Sequence, residues 1–201
     1  MPPFDSSPLA LIVWAAIGYL MGAVPYGMIM ARLMGLGNLR DIGSGNIGAT
    51  NVLRTGSKTA AALTVIFDGA KGAVVLLLAR AFAAEDAAQL AALAAMIGHC
   101  YPVWLRFAGG KGVATFLGIM LALAWPVGLA CCAAWLIGAA LWRISSMGAL
   151  VAASSSTFSL VFMGYGYGLL LTVLLTILVF WRHRENIKRI KLGTEPKIGQ
   201  K

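Results

Sequence analysis

Long apolar runs, each closed by a short polar segment, are the feature that most restricts what this chain can become. A hydrocarbon core of about 30 Å takes roughly 20 helical residues to cross. Residues 9–34, 59–79 and 87–105 each meet that length. Residues 113–142 would form a helix of about 45 Å if unbroken, too long for one comfortable crossing. Trp125-Pro126-Val127-Gly128 supplies a breaker there, because proline removes a helical donor and disfavours helix just before it. Residues 147–181 carry a second interruption, Gly164-Tyr165-Gly166-Tyr167-Gly168, with aromatics suited to an interface. The expectation is an all-α polytopic membrane protein of seven transmembrane helices, one integral membrane domain over residues 1–201.

Charge supports that count. Hydrophobic residues make up 60% of the chain and charged ones 11%, far from the balance of a soluble domain. The 16 Lys and Arg against seven acids lie in the gaps between apolar runs, which argues against a soluble nucleic-acid binder. Seven spans with a periplasmic N-terminus place Arg32, Arg40, Arg54, Lys58, Arg106, Lys111, Arg143 and the tail from Arg182 to Lys201 on the cytoplasmic side. Asp5, Glu85 and Asp86 fall outside, with Arg80 as the one cation there. Reading 113–142 as a single span would put either the early basic loop or the tail outside. The first residues, Met1 to Pro8, lack the basic region of a signal peptide, so the first run is read as a retained span. Cys100, Cys131 and Cys132 sit in apolar stretches without ligand spacing and read as small buried hydrophobes, with no disulfide and no zinc. Ser154-Ser155-Ser156 reads as a helix-packing stripe.

Three polar segments on the expected cytoplasmic side have the chemistry of an anion site. Gly43-Ser44-Gly45-Asn46-Ile47-Gly48-Ala49-Thr50-Asn51 ends at Arg54; glycines let backbone N–H groups converge, and short amides and hydroxyls precede a forked cation. The second runs from Gly98-His99 to Gly109-Gly110-Lys111-Gly112, just before a helix, where free N–H groups and the dipole favour an anion. It is not a Walker A loop, since Leu105 stands where the first glycine belongs. The third comprises Ser145-Ser146 and the tail, where His183 and Asn186 would share a helix face, while Arg184, Lys188, Arg189 and Lys191 read as lipid-headgroup anchors. Inside the second run, Asp68 and Lys71 are three residues apart and can neutralise each other, leaving a structural pair and a site role both open. With no clustered carboxylates to hold magnesium, a CDP-alcohol phosphotransferase is disfavoured and no metal or cofactor is expected.

In this order and on these loops, the motifs resemble the bacterial acyl-phosphate:glycerol-3-phosphate acyltransferase family, PlsY. The resemblance covers nearly the whole chain, including His183-x-Glu185-Asn186-Ile187-x-Arg189; Ile47 departs from the proline frequent in the family. It implies transfer of a fatty acyl group from acyl phosphate to the 1-hydroxyl of glycerol 3-phosphate, giving lysophosphatidate and phosphate, the first acylation of phospholipid synthesis. The implied home is the bacterial inner membrane, with a cytoplasmic-face site, lipids as surroundings and no nucleic-acid partner. Oligomeric state is left open, a monomer included. Resemblance and residue chemistry together assign Ser44, Arg54, Lys111, His183 and Asn186 to catalysis. Gly45, Asn46, Thr50, Asn51, Lys71, His99, Gly110 and Ser146 are assigned to phosphate binding. The His-x4-Asp dyad of thioester-using acyltransferases is missing: Trp104 stands five residues after His99, and Lys188 five after His183. The expected mechanism is positioning and charge neutralisation, the donor's own phosphate taking the proton. A transporter of phosphorylated metabolites is the rival reading and a lipid-synthesis scaffold a weaker one, though the polar residues cluster at one face and no inverted repeat is evident.

Overall fold

A computed structural model describes residues 2–199; Met1, Gln200 and Lys201, the ends of the segments read above, lie outside the described residues. The chain forms ten α-helices among the described residues: α1 (Pro8–Gly22), α2 (Tyr26–Leu33), α3 (Ala49–Leu53), α4 (Lys58–Phe82), α5 (Glu85–Cys100), α6 (Val113–Leu123), α7 (Trp125–Trp142), α8 (Ser145–Phe162), α9 (Leu169–Arg182) and α10 (Arg184–Lys191). Large apolar side chains cover the outside, Phe162 being 92% exposed, as befits a surface solvated by lipid. Five spans are long and apolar enough to cross a membrane, α1 with α2 counted as one (Pro8–Leu33), and a sixth follows if α9 and α10, bent by 58°, are taken together. With 11 residues, α6 is about 16 Å long and falls short by itself.

Small residues allow the helices to approach closely where lipid offers no hydrophobic drive. α1 packs on α5 through Gly18 and Gly22, where a Cβ would lie 2.2 Å from Ala91 O and 2.0 Å from Ala95 O. α6 lies against α4: Thr115 Oγ1 donates to Asp68 O at 2.8 Å, and Arg80 Nη1 donates to Ala122 O at 2.9 Å. Asp68 is about 15 Å along α4 from Lys58, so α6 begins midway down its longer neighbour. Ser156 is buried and its hydroxyl lies 3.3 Å from Thr176 Oγ1 on α9, which gives the serine stripe a packing role.

Both expected breaks appear, the first shifted by a residue and the second in place. Ala124 is the extended residue between α6 and α7, and Pro126 falls in the first turn of α7, where its missing N–H is harmless. The glycine-rich interruption separates α8 from α9 through a 3-10 turn at Gly166–Gly168. The first run was read as continuous, but it breaks at Val24 and Pro25. Polar side chains take the carbonyls freed there: Trp104 Nε1 donates to Ala23 O at 2.7 Å and Lys71 Nζ to Val24 O at 2.9 Å. Lys71 Nζ also donates to Asp68 Oδ1 at 2.8 Å, and both residues are buried. The intramembrane pair thus supports a broken helix, a use its spacing alone did not reveal.

The Arg80 that stood against the charge pattern is bound at the C-terminal end of α4. Its Nε and Nη2 meet Glu85 Oε2 and Oε1 at 2.6 and 3.0 Å, while Gln89 Nε2 bridges Glu85 Oε1 and Tyr167 O. All three cysteines are free; Cys100 and Cys131 are buried and Cys132 partly so.

Candidate active site

Near the N-terminal end of α4, the first polar segment folds back on itself around Asn51. Its Oδ1 accepts from Ser44 N at 3.1 Å, Ser44 Oγ at 3.4 Å and Arg54 Nη1 at 3.3 Å, and its Nδ2 donates to Leu39 O at 2.9 Å. Asn51 is 1% exposed, so it pins the loop, while Ser44 stays exposed and Arg54 half-buried. Gly43 makes the fold possible: its φ is +53°, and a Cβ there would lie 2.6 Å from Arg54 Cδ. Ile47 is buried and anchors the loop's apolar side. Asn46 is directed to its own neighbour, its Oδ1 accepting from Ile47 N at 2.9 Å.

The second segment runs back against the end of α5. Gly109 N donates to Cys100 O and Gly110 N to His99 O, both at 3.1 Å. Gly110 packs against His99 Nε2, where a Cβ would sit 2.2 Å from it. His99 is buried and its Nδ1 is 3.7 Å from Asp68 Oδ1, beyond hydrogen-bond reach. Lys111 then extends to the third segment, donating to Asn186 Oδ1 at 2.5 Å. Burial brings the Lys111 pKa down to about 8; Glu195 pulls upward, and Arg189, Arg182 and Arg54 push further down. Cations from the first loop, from α9 and from α10 therefore all act on one ammonium.

Asn186 and Ser146 are joined by a residue with no local sequence signal. Glu195 Oε1 accepts from Asn186 Nδ2 at 2.5 Å and from Ser146 Oγ at 2.7 Å, and Oε2 accepts from Arg189 Nε at 2.7 Å. Burial raises the Glu195 pKa, but these bonds outweigh it and hold it below the usual carboxylate range. His183 is buried at the bend between α9 and α10, with Nδ1 2.8 Å from Val179 O.

Side chains tie the segments together. Thr50 Oγ1 lies 3.1 Å from Ser145 Oγ, linking the first loop to the start of α8. Arg40 bonds Gly45 O at 3.1 Å and also Ala108 O, linking the first loop to the second. Arg182 donates to Gly110 O at 3.1 Å and Gly109 O at 3.2 Å. Of the residues selected from the sequence, Arg54, Lys111, Ser146 and Asn186 come together, with Ser44 beside Arg54 and His183 beside Asn186. Asn51 and His99 stand behind the loops, and Lys71 is committed to Asp68 and Val24 O. Arg40, Arg182 and Glu195 were not selected, and Arg189 was read as a lipid anchor. Their parts depend on carbonyls and a tail brought near only by the fold.

The result is a cluster of cations, amides and hydroxyls around a single carboxylate, suited to phosphate oxygens. Comparison with known proteins agrees with that chemistry. The family profile described as glycerol-3-phosphate acyltransferase matches residues 12–193. A glycerol-3-phosphate acyltransferase of Ruegeria pomeroyi is 69% identical over 100% of this chain and 99% of its own length. Another, of Roseobacter denitrificans, is 66% identical over 98% of each. Among solved structures, PlsY (YgiH), an integral membrane glycerol 3-phosphate acyltransferase, superposes in its glycerol 3-phosphate form with a TM-score of 0.87. It is 37% identical, and the match covers 94% of this chain and 96% of that one. Its lysophosphatidic acid form gives 0.84 at 35% identity, covering 94% and 95%. On profile, sequence and fold together, this chain belongs to the PlsY glycerol-3-phosphate acyltransferase family.

Proposed function

We propose that this glycerol-3-phosphate acyltransferase, whose product is lysophosphatidate, takes its acyl group from an acyl phosphate and delivers it to the 1-hydroxyl of glycerol 3-phosphate at the cytoplasmic face of the bacterial inner membrane. The observation that carries the reading is Lys111, bonded to Asn186 and acted on by the charges of Arg54, Arg182 and Arg189, beside one carboxylate, Glu195, that bonds Asn186, Ser146 and Arg189. Both substrates present phosphate, and a cation excess in a partly dry site holds anions more strongly than the same groups in water.

Ser44, Arg54, Lys111, His183 and Asn186 bind and orient the reacting phosphates and hydroxyls, with Gly45, Asn46, Thr50, Gly110 and Ser146 at the edges of the same surface. Asn51, His99 and Lys71 act from behind, as supports for the loops and the broken helix. The glycerol 1-oxygen bonds to the acyl carbonyl carbon, the bond from that carbon to the phosphate oxygen breaks, and the hydroxyl proton passes to the departing phosphate. The transient oxyanion is met by Lys111 and by N–H groups at the start of α6. An acyl phosphate is activated enough for positioning and charge neutralisation to drive the step.

The topology follows from the short α6. α6, short as it is, counts as a crossing because it lies against α4, with the Lys111 loop left at its cytoplasmic end. Counted with the bent pair and the five longer spans it makes seven crossings within one unit of residues 1–201, and the basic loops and tail favour a periplasmic N-terminus and a cytoplasmic C-terminus.

The test is direct: supply detergent-purified protein with acyl phosphate and glycerol 3-phosphate and assay lysophosphatidate and released phosphate. Stoichiometric formation of both is expected. Turnover only with an acyl thioester would overturn the donor assignment, and a transporter would yield neither product, because detergent abolishes compartments.

A further inference from the structure

Three consecutive carbonyl oxygens, of Ala108, Gly109 and Gly110, each accept a guanidinium N–H from outside their loop. Arg40 serves the first, while Arg182, the last residue of α9, serves the other two at 3.2 and 3.1 Å. The Arg182 guanidinium also lies over the Tyr101 ring, 4.9 Å from its centroid, which fixes the plane of the fork. Within a trans peptide the C=O and the following N–H point in opposite directions. The N–H groups of Gly109 and Gly110 accordingly face away from the arginines and bond Cys100 O and His99 O. The first two peptide planes are thus held from both sides. The third, joining Gly110 to Lys111, is held by Arg182, which turns the Lys111 N–H away from the guanidinium.

Glycine peptides flip easily, having no Cβ to oppose it. A flip in this loop would turn a carbonyl oxygen toward the place an anion must occupy and would move Lys111. We propose that Arg182, assisted by Arg40, is a positioning residue whose guanidinium locks the Gly109 and Gly110 peptide planes, so that Lys111 and its N–H face a substrate phosphate. This rests on the reading above that the Lys111 loop holds a phosphate. Arg182 itself faces loop carbonyls, and its work is done through the loop.

The experiment measures kcat and KM separately for glycerol 3-phosphate and for acyl phosphate, on detergent-purified wild type and variants. Arg182→Gln is expected to raise KM for at least one of the two by about tenfold or more, with kcat held within about threefold. The substrate whose KM rises identifies the phosphate that the loop serves. Arg182→Lys, which can reach one carbonyl but not form the fork, falls between Gln and wild type. Tyr101→Leu frees the guanidinium plane and raises the same KM by about threefold. Lys111→Ala is the reference for the site itself. If it is impaired while Arg182→Gln keeps both KM values within about twofold of wild type, the clamp is refuted and the site stands. If Lys111→Ala is itself unimpaired, the underlying reading fails first. Should Arg182→Gln yield no folded protein, Arg182→Lys and Tyr101→Leu decide the question: unchanged KM in both overturns the proposal.

Discussion

The two ends of α4 each carry a polar cluster, and only one of them is closed on itself. At the C-terminal end, Arg80 is met by both oxygens of Glu85, Gln89 ties that carboxylate to Tyr167 O, and Tyr167 OH reaches Leu123 O. Toward the N-terminal end, Arg54, Lys111, Arg182 and Arg189 gather with Glu195 as the one carboxylate acting on Lys111. A balanced cluster fastens helices together. An unbalanced one, costly when partly buried, is the kind that an anionic ligand can complete. The Asp68 and Lys71 pair belongs with the closed kind, since its ammonium faces a carboxylate and a helix-break carbonyl.

The sharpest way to break this distinction is Lys71→Met. It leaves Asp68 buried without its cation and takes from Val24 O its side-chain donor, a change costing about 3–5 kcal/mol. Folded yield and thermal unfolding in detergent should fall, while turnover per folded molecule stays near wild type; intact folding with lost turnover would move the pair into the site. Next is Lys111→Ala, for which kcat/KM should fall about 10²–10³-fold with unfolding unchanged. The third concerns pH. Burial depresses the Lys111 pKa to about 8, so the cation is present below that value and is lost as pH rises through it. A plot of kcat/KM against pH should therefore decline above about 8, close to tenfold per unit. Lys111→Arg, still charged there, should remove that decline even if it lowers the plateau. Smallest is Glu85→Gln at the closed end: about 1 kcal/mol of stability, reduced by the partial exposure of both partners, and no change in KM.

Much of the scaffold could be read from residue order, because membrane length and glycine or proline punctuation act locally. The helix breaks near Ala124 and at Gly164 to Gly168 were marked that way. Pro25 escaped notice because apolar residues continue on both sides of it, whereas the two short helices of 113–142 were legible from the Trp125-Pro126 breaker. The site divides along the same line. Ser44, Arg54 and Lys111 stand in glycine-rich segments whose chemistry is visible in one dimension. Glu195 lies in a tail with no period, nine residues past Asn186, and Arg40 and Arg182 act on carbonyls from another segment. Such roles exist only once the chain has folded. Asn51 shows the converse: its residue type suggested a ligand contact, whereas burial makes it the pin of the loop.

The central claim is that cations from separate segments jointly hold a substrate phosphate, and equilibrium binding tests it without chemistry. A non-transferable acyl phosphonate and glycerol 3-phosphate, each titrated separately into detergent-purified wild type and Lys111→Ala at one pH below 8 and one ionic strength, are the ligands; at least one of them should bind the variant at least about tenfold more weakly. Equal affinity of the two proteins for both ligands would contradict the account.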